Sequence, residues 1–307
     1  MTKNQLIITQ FGLFTISRQK IDFIHKINLG EFDEHILANS LPFGEPPNKS
    51  FKFSTVNGEK YLCYSQFNPK SDEGRGILIN ISFKKDLLKQ TMRILSSLED
   101  IVLSNEIFNN LFQSKKISII IKEFNFLRMQ PKNNHLDGIL FALLAHTPLT
   151  IIGTHEQVIY FLNYFIEILP SWITDSYTFI TQTNSLSENV KIVGLKPKTS
   201  ILKNIENEKA FGRTIVCLDK EKVFAPFTSQ FCRKSALLLK EDNFESFKNN
   251  LNEFHQLILQ NSSIKNVDEA MKDLSLDFDN AQLFIALKAV MDGAPIDPKK
   301  FDQKGGF

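Results

Sequence analysis

The stretch that decides the fold is Phe51-Lys-Phe-Ser-Thr-Val-Asn-Gly-Glu-Lys-Tyr-Leu-Cys-Tyr-Ser-Gln-Phe67. Two runs rich in aromatic and β-branched residues, Phe51–Val56 and Lys60–Phe67, flank Asn57-Gly58. Both central residues of a two-residue hairpin turn need positive φ, which Asn and Gly adopt at least cost, so the dipeptide predicts a β-hairpin. Upstream, residues 5–18 read as two short strands meeting near Gly12, and a helix at 32–40 is predicted to end in the loop Pro42–Pro47. Downstream, a polar loop from Asn68 to Gly76 leads into a strand at Ile77–Phe83. Leu87, Leu88, Ile94, Leu95 and Leu98, and then Ile101, Val102, Ile107, Phe108, Leu111 and Phe112, recur at helical spacing. An antiparallel sheet of about five strands that precedes its helices argues for an α+β module.

Beyond a strand-like Ile117–Ile121, the polar Gln130-Pro-Lys-Asn-Asn134 marks a module boundary, placed at 130/131. The order then becomes helix (His135–His146), strand (Leu149–Gly153) and helix. Thr154-His-Glu-Gln157 fits a capping box, in which the Thr hydroxyl and the Gln side chain each satisfy the other's backbone N–H. The helix it opens carries Val158, Phe161, Leu162, Phe165, Ile166 and Leu169 on one face and ends at Pro170. Tyr177–Thr181, Val190–Gly194 and Thr214–Leu218 read as strands. Helices follow from Asp242, notably Phe244–Leu259 and Asn280–Met291. The expectation is an α/β module over 131–294, its sheet largely parallel and covered on both faces, with C-terminal helices and a flexible tail at 295–307.

Composition excludes several classes. A chain of 307 residues that is 42% apolar and 23% charged is globular, not disordered or collagenous. Thirty-six basic against 34 acidic residues give a net charge of +2, too balanced for a nucleic-acid binder, and no basic stripe interleaves with aromatics. Cys63, Cys217 and Cys232 are isolated, which suggests neither a disulfide framework nor a zinc site. No signal-peptide layout opens the chain, and Asn163, Glu167 and Pro170 interrupt its most apolar run. The expected setting is therefore cytoplasmic, with no integral membrane segment.

Motifs for small-molecule chemistry are missing. Gly153-Thr154 follows a strand, but no Gly-Lys-Ser/Thr follows it and no G-x-G-x-x-G occurs, so a capped strand-to-helix turn explains it better. Neither a G-x-S-x-G elbow nor an H-E-x-x-H helix is present. His155 reads as an exposed residue of a capping region, His146 as a helix-end residue and Asp219 as a turn residue. Lys84-Lys85 and Lys115-Lys116 read as solvated element ends. No cofactor and no metal is called for.

Arg75 stands apart. It is one of only six arginines, set between Gly74 and Gly76 where the loop is expected to meet the strand. Uncrowded glycine backbone would let its planar five-donor guanidinium project toward a partner's phosphates. The ordinary alternative is a turn arginine paired with Asp72 or Glu73.

Four segments resemble a known family. Tyr61–Phe67 with Glu73-Gly-Arg-Gly-Ile-Leu-Ile-Asn-Ile-Ser82 is similar to the longin strands of divergent DENN proteins, including folliculin. Leu140-Phe-Ala-Leu-Leu-Ala-His-Thr-Pro-Leu-Thr-Ile-Ile-Gly153 and the helix after it resemble the core of a DENN domain. Asp175–Thr181 through Val190–Gly194, and Thr214-Ile-Val-Cys-Leu-Asp219, resemble its later strands. Together they span about residues 5–260.

The resemblance implies a longin-like module over 1–130, a DENN-like module over 131–294, and a regulator of a Ras-superfamily small GTPase, Rab- or Rag-like, recruited to membrane surfaces. Most DENN proteins are exchange factors that grip the GTPase switch regions between the longin and DENN lobes, by differential binding rather than by a catalytic side chain. In the folliculin-like branch an arginine just before a glycine in the equivalent strand acts as a finger for GTP hydrolysis, and Arg75-Gly76 matches that dipeptide. Other branches carry Arg-Gly there without that activity. Three readings stay open: an exchange factor, a GTPase activator using Arg75, and a non-catalytic scaffold that pairs with a second longin–DENN protein.

Overall fold

The computed structural model describes residues 5–17, 20–29, 37, 41–42, 48–81, 87–120, 135–186, 190–197, 203 and 212–294. In chain order the first strands are β1 (Gln5–Ile8), β2 (Phe11–Ser17), β3 (Lys20–Ile27), β4 (Lys49–Val56), β5 (Glu59–Asn68) and β6 (Glu73–Asn80). Helices α1 (Leu87–Leu103) and α2 (Asn105–Asn110) follow, then strand β7 (Ile117–Ile120). The middle of the chain carries α3 (Leu136–Leu144), β8 (Leu149–Ile152), α4 (His155–Ile168), α5 (Ser171–Thr174), β9 (Phe179–Thr183) and β10 (Ile192–Leu195). The last elements are β11 (Thr214–Cys217), β12 (Lys222–Phe224), α6 (Gln230–Lys240), α7 (Phe244–Gln260), α8 (Val267–Leu274) and α9 (Phe278–Met291). The protein is thus mixed α and β, with a large mixed sheet.

These elements form two compact units, and the chain passes between them more than once. The first comprises Met1–Gln130, Thr154–Glu167 and Thr178–Lys196; the second comprises Pro131–Gly153, Ile168–Tyr177 and Pro197–Phe307. A single division at 130/131 therefore has to be amended, because α4, β9 and β10 return to the first unit. The cause is pairing: β9 lies antiparallel to β4, with Phe179 opposite Phe53 and their rings stacked at 5.7 Å. The predicted helix at 32–40 (apart from Leu37), the stretch Gln130–Asn134, Lys84-Lys85 and the tail 295–307 lie outside the described residues.

In the first unit five antiparallel strands run in the order β4-β5-β6-β2-β3, and β9 and β10 extend the sheet beyond β4, β10 parallel to β9. The hairpin forms at Asn57-Gly58, whose φ values are 52° and 82°. Two expectations change. The first strands break at Thr9-Gln10 rather than near Gly12, which lies within β2 because the Phe23 ring covers it, 2.3 Å from where a Cβ would stand. The loop after β5 is shorter than predicted, since Glu73–Gly76 already belong to β6. Strand β3 has no counterpart in the sequence reading. It is an edge strand with Lys20, Asp22 and Lys26 on its surface and a bulge at Ile24, so it lacks the apolar alternation that marks a half-buried strand.

The second unit is built around α3, whose residues from Gly138 to Leu144 are all buried. It ends in a Schellman-type turn: His146 takes φ 52° and the Thr147 N–H reaches the Ala142 carbonyl at 3.1 Å. Strands β8 and β11 are parallel, as expected, while β12, absent from the sequence reading, is antiparallel to β11. The other parallel pair expected, β9–β10, forms as well and belongs to the first unit. Ser229, Asn243, Asn266 and Asp277 cap α6 to α9, each accepting a backbone N–H three residues on. Helix α6 is not foreshadowed by the sequence pattern, since Arg233, Lys234 and Lys240 interrupt its apolar residues. Among the described residues no helix is long and apolar enough to cross a membrane.

Candidate functional site

Arg75 sits inside β6, opposite Thr15 of β2 and Gln66 of β5, rather than at a loop-to-strand junction. Its flanking glycines answer to packing. A Cβ on Gly76 would stand 2.3 Å from both the Phe14 ring and the Tyr64 carbonyl, and one on Gly74 would stand 2.5 Å from the Gln66 carbonyl. Any side chain there would push apart neighbouring strands, so the glycines are needed whatever Arg75 does.

The guanidinium is held at the corner where α1 gives way to α2. Nη1 donates to Asn105 Oδ1 at 2.6 Å, and Nη2 donates to the Leu103 carbonyl at 2.9 Å. The plane lies over Phe108, with its carbon 4.9 Å from the ring centroid. Leu103 closes α1, so the cation meets the negative end of that helix. Ser104 forms the corner, its hydroxyl capping α2 by accepting from the Ile107 N–H at 3.2 Å. Partial burial lowers the Arg75 pKa from the ordinary arginine value. Asp72 and Glu73, the partners expected from the sequence, are not the ones it uses. Leu103 and Ile107, next to this corner in the chain, are exposed at 43% and 44%, and three contacts set the direction of the cation.

A second polar group in the first unit was missed. His155, expected to be exposed, is buried at the start of α4. Its ring stacks on Phe51 at 5.4 Å, and Nδ1 lies 3.1 Å from the Thr181 hydroxyl of β9. Burial pushes its pKa down to about 4, outweighing Glu156 and Glu99, which act the other way. Phe51 also contacts Tyr64, whose phenol pKa is raised by burial and then by the charges of Glu99 and Glu156. Lys49 pairs with Glu99 at the mouth of the group. These residues come from β4, β5, β9, α1 and α4, and no local spacing links them. The one local signal, the capping box, does form: Thr154 N–H meets Gln157 Oε1 at 2.7 Å, and Gln157 N–H meets Thr154 Oγ1 at 3.2 Å.

The other residues singled out in the sequence have structural places. Cys63, Cys217 and Cys232 are free and buried, and burial raises each thiol pKa, that of Cys232 to about 12. His146 is buried against Tyr177 at 4.9 Å. Asp219 lies in a short turn after β11, and Lys115 and Lys116 are exposed ahead of β7.

No protein-family model matches the chain, nor does any curated protein sequence.

Proposed function

We propose that this chain regulates a Ras-superfamily small GTPase, Rab- or Rag-like, by accelerating nucleotide exchange, and that it works at membrane surfaces through protein contacts. The observation that carries the reading is the run of five antiparallel strands followed by α1 and α2, the organisation that the longin resemblance implies. Exchange is favoured over hydrolysis activation by the place of Arg75. A finger must swing its guanidinium to the transferring phosphoryl group, whereas this one is tied to Leu103, Asn105 and Phe108. Exchange needs only that the protein bind the nucleotide-free GTPase more tightly than the loaded form.

The test is release of labelled GDP from a panel of the host's small GTPases, with and without the full chain. Acceleration on one member, retained by Arg75→Ala, is the expected result. Stimulated hydrolysis that Arg75→Ala abolishes would replace exchange by activation. Binding without any change in rate would leave a scaffold that partners a second longin–DENN protein, and no binding in the GDP, GTP or nucleotide-free state would refute the reading.

A further inference from the structure

Strands β4 and β9 meet at a seam whose two ends are built differently. Toward the end of β4 it is ordinary sheet: Lys52 lies opposite Ile180 and Phe53 opposite Phe179, with the two rings stacked. Toward the start of β4, side chains take over from the backbone ladder. The Phe51 N–H donates to the Thr181 hydroxyl at 2.9 Å, and the Ser50 hydroxyl donates to the Gln182 carbonyl at 2.8 Å. On its other edge β4 is registered with β5 along its whole length, from Lys49 opposite Gln66 to Val56 opposite Glu59. The start of the β9 seam is therefore the weaker flank of β4, the kind of element that opens ahead of a whole sheet.

His155 closes this end. Its ring stacks on Phe51, and Nδ1 lies 3.1 Å from Thr181 Oγ1. One hydroxyl oxygen thus serves both the Phe51 N–H and the imidazole, and the Phe51 carbonyl stands 3.4 Å away. Thr181 is held from behind by β10, where a Cβ on Gly194 would stand 2.1 Å from the Thr181 carbonyl oxygen.

The arrangement suits a neutral ring. A hydroxyl has one proton and two lone pairs, so Thr181 matches Nδ1 either as donor or as acceptor. Nε2 is buried with no hydrogen-bond partner among the described residues. An imidazolium would place an N–H there and bring a charge out of water. The groups that face the ring do not compensate. Glu156 on α4 and Glu99 on α1 favour the cation, Lys49 on β4 opposes it, and burial outweighs all three. Tyr64 of β5, across the Phe51 ring, has its phenol pKa raised and adds no charge.

We propose that this corner is an acid-released latch: protonation of His155 parts Ser50-Phe51 from Thr181-Gln182 and frees the first turn of α4, while β4 stays paired with β5. Water then reaches the imidazolium, and the place of the ring on Phe51 is vacated. The latch belongs to the first unit alone and stands or falls apart from the GTPase reading.

Native-state hydrogen exchange on the full chain tests it, with the Phe51 amide reporting the latch and the Leu62 amide of β5 reporting the sheet. Corrected for the intrinsic rate at each pH, Phe51 protection should fall about fifty- to hundredfold between pH 7 and pH 4.5, because opening restores ordinary imidazole behaviour. Low urea should leave Phe51 exchange nearly unchanged and speed Leu62 exchange steeply, since a local opening exposes little surface. His155→Gln should flatten the pH dependence at Phe51. Thr181→Val, which removes the hydroxyl but not the bulk, should lower Phe51 protection about fivefold or more at pH 7. Exchange of Phe51 and Leu62 with one common urea slope, or Phe51 protection indifferent to pH, overturns the proposal, and both are read on the unaltered chain. Full pH dependence retained in His155→Gln overturns it as well.

Discussion

Replacing Arg75 by Ala separates its role in the fold from any role in a reaction. Removal takes away two charge-assisted hydrogen bonds, to Asn105 and to the last carbonyl of α1, and the contact with Phe108. Because solvent reaches the guanidinium, each bond is credited with about 0.5–1 kcal/mol rather than a buried value. The ring contact adds about 0.5–1 kcal/mol. The sum is about 2 kcal/mol, carried mainly by the α1–α2 corner. With a slope of about 2 kcal/mol per molar urea, the transition of the first unit should move down by about 1 M at unchanged slope. Arg75→Lys keeps the charge but not the fork, and should recover less than half of the loss. In a double-mutant cycle Arg75→Ala and Asn105→Ala should couple by about 0.5 kcal/mol or more. A midpoint unmoved by Arg75→Ala, or strictly additive variants, would refute the clamp and return Arg75 to the pool of free surface cations.

Three further outcomes follow from the first unit. His155 has a folded pKa of about 4 against an ordinary 6.5, so the unfolded chain binds its proton first as pH falls. Stability is full above about pH 6.5 and declines toward pH 4 by up to about 3 kcal/mol, and His155→Gln should remove that part of the slope in denaturant melts run at each pH. Glu167 accepts both Nε and Nη2 of Arg93 at 3.1 Å, with its side chain 9% exposed. Arg93→Ala should therefore cost about 2–3 kcal/mol, since it leaves a carboxylate buried without its cation, and thermal melts would show it. Gly76→Ala should cost about 3 kcal/mol by urea midpoint, with Ala at the neighbouring Ser65 position as a control within about 1 kcal/mol.

What the sequence made legible was local. The Asn57-Gly58 turn, the Thr154–Gln157 capping box and the helices Leu87–Leu103 and Asn105–Asn110 are each specified by residues within one turn or one hairpin of each other, and they form where the pattern placed them. Two of the misreadings share one cause: the deciding partner lies far along the chain. Strand β9 joins the first unit because of β4, about 130 residues earlier, and His155 is buried because Phe51 and Thr181 close over it. Its helical phase alone, at the first position of α4, pointed outward. Strands β3 and β12 escaped notice because they are edges with few buried side chains. Neither their composition nor their period differs enough from a loop.

Arg75 shows how one local string supports two opposite inferences until the contacts are known. Glycine on both sides reads as slack, and slack suits a side chain that must reach out. Yet Gly74 and Gly76 lie in a central strand where carbonyls of β5 and a ring of β2 approach too closely for any Cβ, so the backbone around Arg75 is among the least free in the sheet. A rigid strand and a guanidinium tied to a helix end make a fixed point, not an arm. Held by Asn105, the Leu103 carbonyl and the Phe108 ring, the cation keeps one direction. It is ill suited to meeting a charge that appears only in a transition state, because reaching it would first cost the contacts that hold α1 and α2 together. If GTP hydrolysis by a cognate GTPase nonetheless depended on Arg75, then Asn105→Ala, which loosens the clamp, should raise the stimulated rate. The same variant should leave an exchange rate unchanged or lower it, so its sign alone distinguishes the two mechanisms.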